Sequence, residues 1–131
     1  MIIVDTHVLI WDALEPEKLS RSAVKALNHA EKTHTLALCD ISLWEIALLL
    51  DRNRLKSPLS HQEFLETLLQ TRPYQILAIR PDIAVRSMNL PAKINKDPAD
   101  QIIVASAIIH NAGLISADEN LQKHSSLTVI W

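Results

Sequence analysis

Short, wholly apolar runs alternate with longer stretches of helical periodicity. This alternation constrains the fold more than any other feature of the chain. Ile2–Val4 is apolar on both faces, the pattern of a strand buried on two sides in a parallel sheet. Further strands are expected at Thr35–Cys39, Tyr74–Ile79, Leu114–Ile115 and Leu127–Ile130. Helices are expected over Thr6–Leu14, from Ser20 or Ser22 to about Glu31, and over Ser42–Asp51, Ser60–Thr71, Asp82–Met88, Pro98–Asn111 and Asp118–Gln122. Ala23, Val24, Leu27 and Ala30 form the inward stripe of the second, and Phe64, Leu65, Leu68 and Leu69 that of the fourth. Pro98 at the first helical position and Gly113 just past the end bracket the sixth. Leu90–Lys96 reads as a polar loop. Strands separated by helices predict an α/β fold with a central, mainly parallel sheet.

A chain of 131 residues suits a single domain spanning 1–131 with a real core. Aromatics make up 4% of it, so that core is aliphatic. Glycine occurs once, which excludes a glycine-rich phosphate loop. The single cysteine, Cys39, excludes an internal disulfide and suits a reducing compartment. No apolar stretch approaches the roughly 20 residues of a bilayer span, so a soluble, cytoplasmic protein without a membrane partner is expected. The net charge of -2 does not advertise nucleic-acid binding, so any such affinity rests on local charge placement.

Four acids fall where strands end and helices begin. Asp5 follows Ile2–Val4, Glu45 lies in Ser42-Leu43-Trp44-Glu45, Asp100 opens the helix after Asp97-Pro98, and Asp118 follows Gly113–Ala117. Each has a plain structural role available. Asp5 and Asp118 are good helix N-caps, and Asp97 before Pro98 is the natural cap of the long helix. Ser42-x-x-Glu45 is a capping-box pattern, and an acid at position 100 favours the helix dipole. Parallel strands, however, bring their carboxyl ends to one sheet edge, where open α/β sheets build sites. Carboxylates gathered at one point repel, and a hard divalent cation relieves the repulsion. Glu119 is a weaker fifth candidate.

Acid ligands without arranged cysteine or histidine favour magnesium, with manganese as a substitute, over zinc. The six histidines are scattered, and none pairs at zinc-helix spacing. His7, two residues past Asp5, is a candidate for substrate contact or for local packing. No serine sits in a nucleophile elbow. A receiver-like phospho-acceptor domain would want adjacent acids after the first strand, where this chain has Thr6-His7.

Asp5-Thr6-His7-Val8-Leu9-Ile10-Trp11, Ile41-Ser42-Leu43-Trp44-Glu45-Ile46-Ala47, Asp97-Pro98-Ala99-Asp100, Ser116-Ala117-Asp118-Glu119 and Val129-Ile130-Trp131 follow one another in an order and spacing that resemble PIN-domain ribonucleases, most of all the VapC-type toxins of bacterial toxin–antitoxin pairs. The resemblance implies a PIN-like three-layer α/β/α sandwich and a magnesium-dependent endoribonuclease leaving 5′-phosphate and 3′-hydroxyl ends. It also implies a VapB-like antitoxin that blocks the site, and a homodimer. Asp5, Glu45, Asp100 and Asp118 match the family's catalytic and metal-binding acids. Thr6, Asp97 and Ser116 match auxiliary positions, with Ser116 where many relatives carry threonine. In that scheme Asp5 and Asp100 hold most of the ion, and Glu45 and Asp118 complete its shell. The chain departs from the pattern at Leu48-Leu49-Leu50, Gln101 and Asn95, where relatives often carry lysine, arginine and histidine.

An acidic pocket needs cations nearby to hold RNA. Arg52, Arg54 and Lys56 follow the helix bearing Glu45, and Arg86, Lys93 and Lys96 precede Asp97. Trp11, with Trp44, Leu48, Leu49 and Leu55, is a candidate apolar groove for an antitoxin segment, with core packing the plainer use of Trp44. The alternative to an enzyme is a catalytically inactive PIN-like binding module acting through a protein partner.

Overall fold

A computed structural model describes residues 1–91 and 97–131. The elements run β1 (Ile2–Val4), α1 (Thr6–Leu14), a 3-10 turn (Pro16–Lys18), α2 (Arg21–Lys32), β2 (Leu36–Cys39), α3 (Asp40–Asp51), α4 (His61–Gln70), β3 (Gln75–Leu77), α5 (Pro81–Ser87), α6 (Pro98–Ile109), β4 (Gly113–Ile115), α7 (Glu119–Gln122) and β5 (Val129–Ile130). The five strands form one sheet in the order β3-β2-β1-β4-β5, and every pairing is parallel. This is the α/β/α architecture expected, with the strand order reversing at β1.

The apolar runs do what two-sided burial requires. Ile3, Ala37, Cys39 and Leu114 pack with Ile103, Val104 and Ala107 of α6 on one face of the sheet. Their chain neighbours Val4, Leu36, Leu38 and Ile115 pack with Val8 and Leu9 of α1 and Ala23, Leu27 and Ala30 of α2 on the other. Adjacent strand residues thus serve opposite layers. A third cluster joins Ile10 of α1, Ile46 and Leu50 of α3, and Phe64 and Leu68 of α4. Arg72, just before β3, grips Asp12 of α1 through two bonds of 2.6 and 2.9 Å, and also reaches Glu31 of α2 at 2.8 Å. The bidentate pair fixes α1 and α2 relative to the sheet.

Three expectations need correction. The Ser42–Glu45 capping box does not form, because α3 begins at Asp40 directly after β2 and leaves Ser42 inside the helix. Gly113 is not a helix cap. It lies in β4, where a Cβ would meet Ile2 Cδ1 at 2.8 Å. The left-handed residue after α6 is Asn111, and Asn53 and His34 play the same part after α3 and α2. In each case the next amide reaches back to close a Schellman motif: Ala112 to Ala107, Arg54 to Leu49, and Thr35 to Ala30, all at 2.9 Å. Val24, expected inward, is 37% exposed, because the buried stripe of α2 is only Ala23, Leu27 and Ala30. The Leu90–Lys96 loop, with Lys93, Asn95 and Lys96, lies outside the described residues after Pro91.

Candidate metal centre

β1, β2 and β4 end side by side, and the chain turns into a helix after each of them. Asp5 is the N-cap of α1, accepting the Thr6 amide at 2.8 Å on Oδ1. Its Oδ2 accepts the Ser116 hydroxyl at 2.8 Å, and Asp5 is 8% exposed. Asp118 is the N-cap of α7, accepting from the Asn120 amide at 2.8 Å. The Asp118 amide in turn donates to Ser116 Oγ at 3.1 Å. One fully buried hydroxyl therefore ties the acid after β1 to the acid after β4. Asp97 caps α6 through Ala99 and Asp100 amides at 2.9 and 3.3 Å. The capping roles read from the sequence are real for Asp5, Asp97 and Asp118, yet they coexist with convergence on one site.

Asp5, Glu45, Asp97, Asp100 and Asp118 line a single cavity of about 370 Å³, together with His7 and Ala117. Within it, carboxylate oxygens of Glu45, Asp97 and Asp100 lie within 4.8 Å of one another. Glu119 is exposed and does not line the cavity. Thr6 and Ser116 lie behind the wall rather than in it, both fully buried. Ser42 joins them, a residue that sequence reasoning took for a cap. Its buried hydroxyl hydrogen-bonds Thr6 Oγ1 at 2.9 Å, locking α1 to α3 beneath Glu45. The available signal was the Ser42–Glu45 spacing of three on one helix face.

The electrostatics follow from burial and crowding. Burial is the main force raising Asp5 above the ordinary carboxylate range, opposed by its bonds from Ser116 and Thr6. Glu45 is raised first by burial, then by Asp97 and Asp5, with the Thr6 hydroxyl pulling the other way. Asp100 is pushed up to about 7, by burial first and then by Asp5, Asp97, Glu45 and Asp118. Glu45 Oε1 is buried without a hydrogen-bond partner among the described residues. A buried carboxylate oxygen left so is costly, and a cation meets the need. An all-oxygen ligand set with mutual repulsion fits a hard divalent ion.

Ser116→Ala is expected to weaken divalent-ion affinity about 10- to 100-fold, the usual cost of losing a group that orients a ligand. Isothermal titration with manganese checks it, and unchanged affinity would remove Ser116 from any positioning role.

The candidate groove residues separate. Trp44 is 56% exposed on the outer face of α3, so it is not a core residue. Trp11 is half-buried, with His7 and Trp131 rings at 6.1 and 5.8 Å. Trp11, Leu49 and Leu55 line a second cleft with His7, Ile10, Glu15, Lys18 and Arg54, whereas Trp44 and Leu48 are not among its lining residues. Arg86 lines a shallow recess beside α5, with Asp82, Val85 and Ile109.

The sequence profile of the PIN domain matches residues 2–127. Ribonuclease VapC22 of Mycobacterium tuberculosis is 32% identical over 123 residues, covering 94% of this chain and 91% of that protein. Among solved structures, VapBC2 from Rickettsia felis bound to a promoter DNA fragment superposes with a TM-score of 0.73 at 19% identity, covering 98% and 97% of the two chains. A toxin–antitoxin complex from Klebsiella pneumoniae gives 0.64 at 22% identity, covering 97% and 95%. These two likenesses concern the fold. The profile match across nearly the whole chain and the VapC22 identity agree, and the chain belongs to the PIN domain family.

Proposed function

We propose that this chain is a magnesium-dependent endoribonuclease that hydrolyses RNA phosphodiester bonds, acting in the cytoplasm as the toxin of a toxin–antitoxin pair. It would work as a single domain over residues 1–131, as a homodimer, and be neutralised by a VapB-like antitoxin. One observation carries the reading: carboxylates delivered by β1, α3, α6 and β4 meet in one cavity, within a chain one-third identical to a named ribonuclease. Conventional nucleophile machinery is absent from that cavity among the described residues, which leaves hydrolysis by water as the chemistry its acids suit.

Glu45, Asp97 and Asp100 would hold the ion, whereas the family scheme gives the main part to Asp5 and Asp100, and Asp5 and Asp118 line the same cavity. When bound, magnesium or manganese offsets the charge of the scissile phosphate and makes a water more acidic. The chain supplies the rest. Ser116 and the Thr6 amide fix both Asp5 oxygens, so this carboxylate needs little reorganisation during reaction. The Thr6–Ser42 pair joins α1 to α3, and the Thr6 hydroxyl also favours the charged form of Glu45. His7 is the one cavity-lining side chain, among the described residues, able to carry positive charge toward the RNA backbone.

The test is cleavage of a panel of structured RNAs by the purified protein. Products with 5′-phosphate ends are expected with magnesium and none with chelator. Equal turnover in both conditions would reject the metal-dependent nuclease. Antitoxin binding without any turnover would favour a partner-binding module instead.

A further inference from the structure

The second cleft opens beside the acidic cavity, and His7 lines both. Its volume of about 330 Å³ lies within the roughly 300–1,000 Å³ usual for ligand sites. α1 gives it Ile10 and Trp11, the 3-10 turn gives Lys18, the last turn of α3 gives Leu49, and the segment after α3 gives Arg54 and Leu55. We infer that this cleft is a nucleotide subsite for single-stranded RNA. A strand leaving the acidic cavity past His7 stacks a base on Trp11 and sets a phosphate on Arg54. The inference rests on the ribonuclease reading above.

Charge complementarity selects the occupant. Glu15 is paired with Lys18 at 2.8 Å, so the one acid of the cleft is already neutralised. Arg54 has no ion pair among the described residues and is exposed. The Schellman motif at Asn53 fixes its backbone, with the Arg54 amide on Leu49 O at 2.9 Å. An anion is what that wall lacks. Trp11 is held by the His7 and Trp131 rings and by Lys18 Nζ at 5.8 Å, so it offers a pre-positioned aromatic surface. A held aromatic beside an exposed arginine is the combination that binds unstacked bases with their phosphates. The acidic cavity repels a phosphate chain, so affinity gained outside it is what brings RNA in.

The test measures binding of a fluorescein-labelled single-stranded oligoribonucleotide by anisotropy at several salt concentrations. An Asp100→Asn background prevents turnover. Arg54→Ala, at an exposed position that folding does not depend on, is expected to raise Kd about 5- to 10-fold. It should also lower the slope of log affinity against log salt by about 0.7, one single-strand phosphate contact. Trp11→Leu is expected to raise Kd about 10-fold, with Trp11→Phe restoring most of it. In the otherwise unsubstituted enzyme with magnesium, Arg54→Ala raises KM and leaves kcat within about twofold. Unchanged Kd and salt slope in Arg54→Ala overturn the subsite. If the parent enzyme cleaves RNA in that case, the nuclease reading stands without it. If the parent neither binds nor cleaves RNA, both fall. Cleft substitutions that spare RNA binding but weaken an antitoxin peptide assign the cleft to a protein partner and also overturn the proposal.

Discussion

Replacing Asp100 with asparagine is expected to cut RNA cleavage about 10³-fold while raising the melting temperature of the ion-free protein at pH 8. The first effect corresponds to about 4 kcal/mol of barrier, a reasonable share for one carboxylate of a metal-assisted site. The second effect separates function from scaffolding. Asp100 feels Asp5, Asp97, Glu45 and Asp118 at once, and burial compounds their repulsion. Asparagine keeps the shape and removes the charge. Calorimetry and cleavage on the same preparation decide the matter. Loss of both activity and stability would mark Asp100 as a structural acid, and undiminished cleavage would remove it from the site.

The largest response to conditions should come from pH in the absence of a divalent ion. Asp5, Glu45 and Asp100 are all raised in the folded protein, Asp100 to about 7. The fold therefore binds more protons than the unfolded chain between the ordinary carboxylate pKa values and about pH 7. Their contribution is fully present below the unfolded values of 3.8 and 4.5, and it is lost as pH rises through the folded ones. The ion-free protein should thus melt at a lower temperature at pH 8 than at pH 5.5. Magnesium at about 100 times its Kd adds about 2.7 kcal/mol, or about 10 °C for a chain of this size. That gain should be larger at pH 8, because the ion binds the deprotonated acids. Melting curves at the two pH values, with magnesium and with chelator, check all three expectations. A flat profile that magnesium does not move would mean the acids are independently solvated and share no ion.

How far the sequence could be read depended on whether a signal was local. Ile2–Val4 and Leu36–Cys39 announced a parallel sheet because wholly apolar strands have few other uses. Asp5 and Asp118 were legible both as caps and as candidate site acids, since a helix start after a parallel strand places one side chain in both roles, and Asp97 was legible as the cap before Pro98. The Glu45 environment was not legible. Its apparent capping partner Ser42 turns out to bond Thr6, which is 36 residues away in the chain and adjacent only after α1 packs on α3. The Ser116 link to Asp5 spans 111 residues and was equally hidden as a contact, although family resemblance pointed at the position. Asn111 took the part expected of Gly113 after α6 because asparagine tolerates left-handed backbone, and Asn53 does the same after α3, where no stop residue was singled out.

The in-register pairing of Ile2, Ile3 and Val4 with Gly113, Leu114 and Ile115 has a consequence for biosynthesis. The opening strand finds this neighbour only after more than a hundred further residues have been translated, and the last acid arrives later still. Closing this part of the sheet edge therefore depends on a contact between residues more than a hundred positions apart, and such long-range parallel pairing forms later and more slowly than local structure.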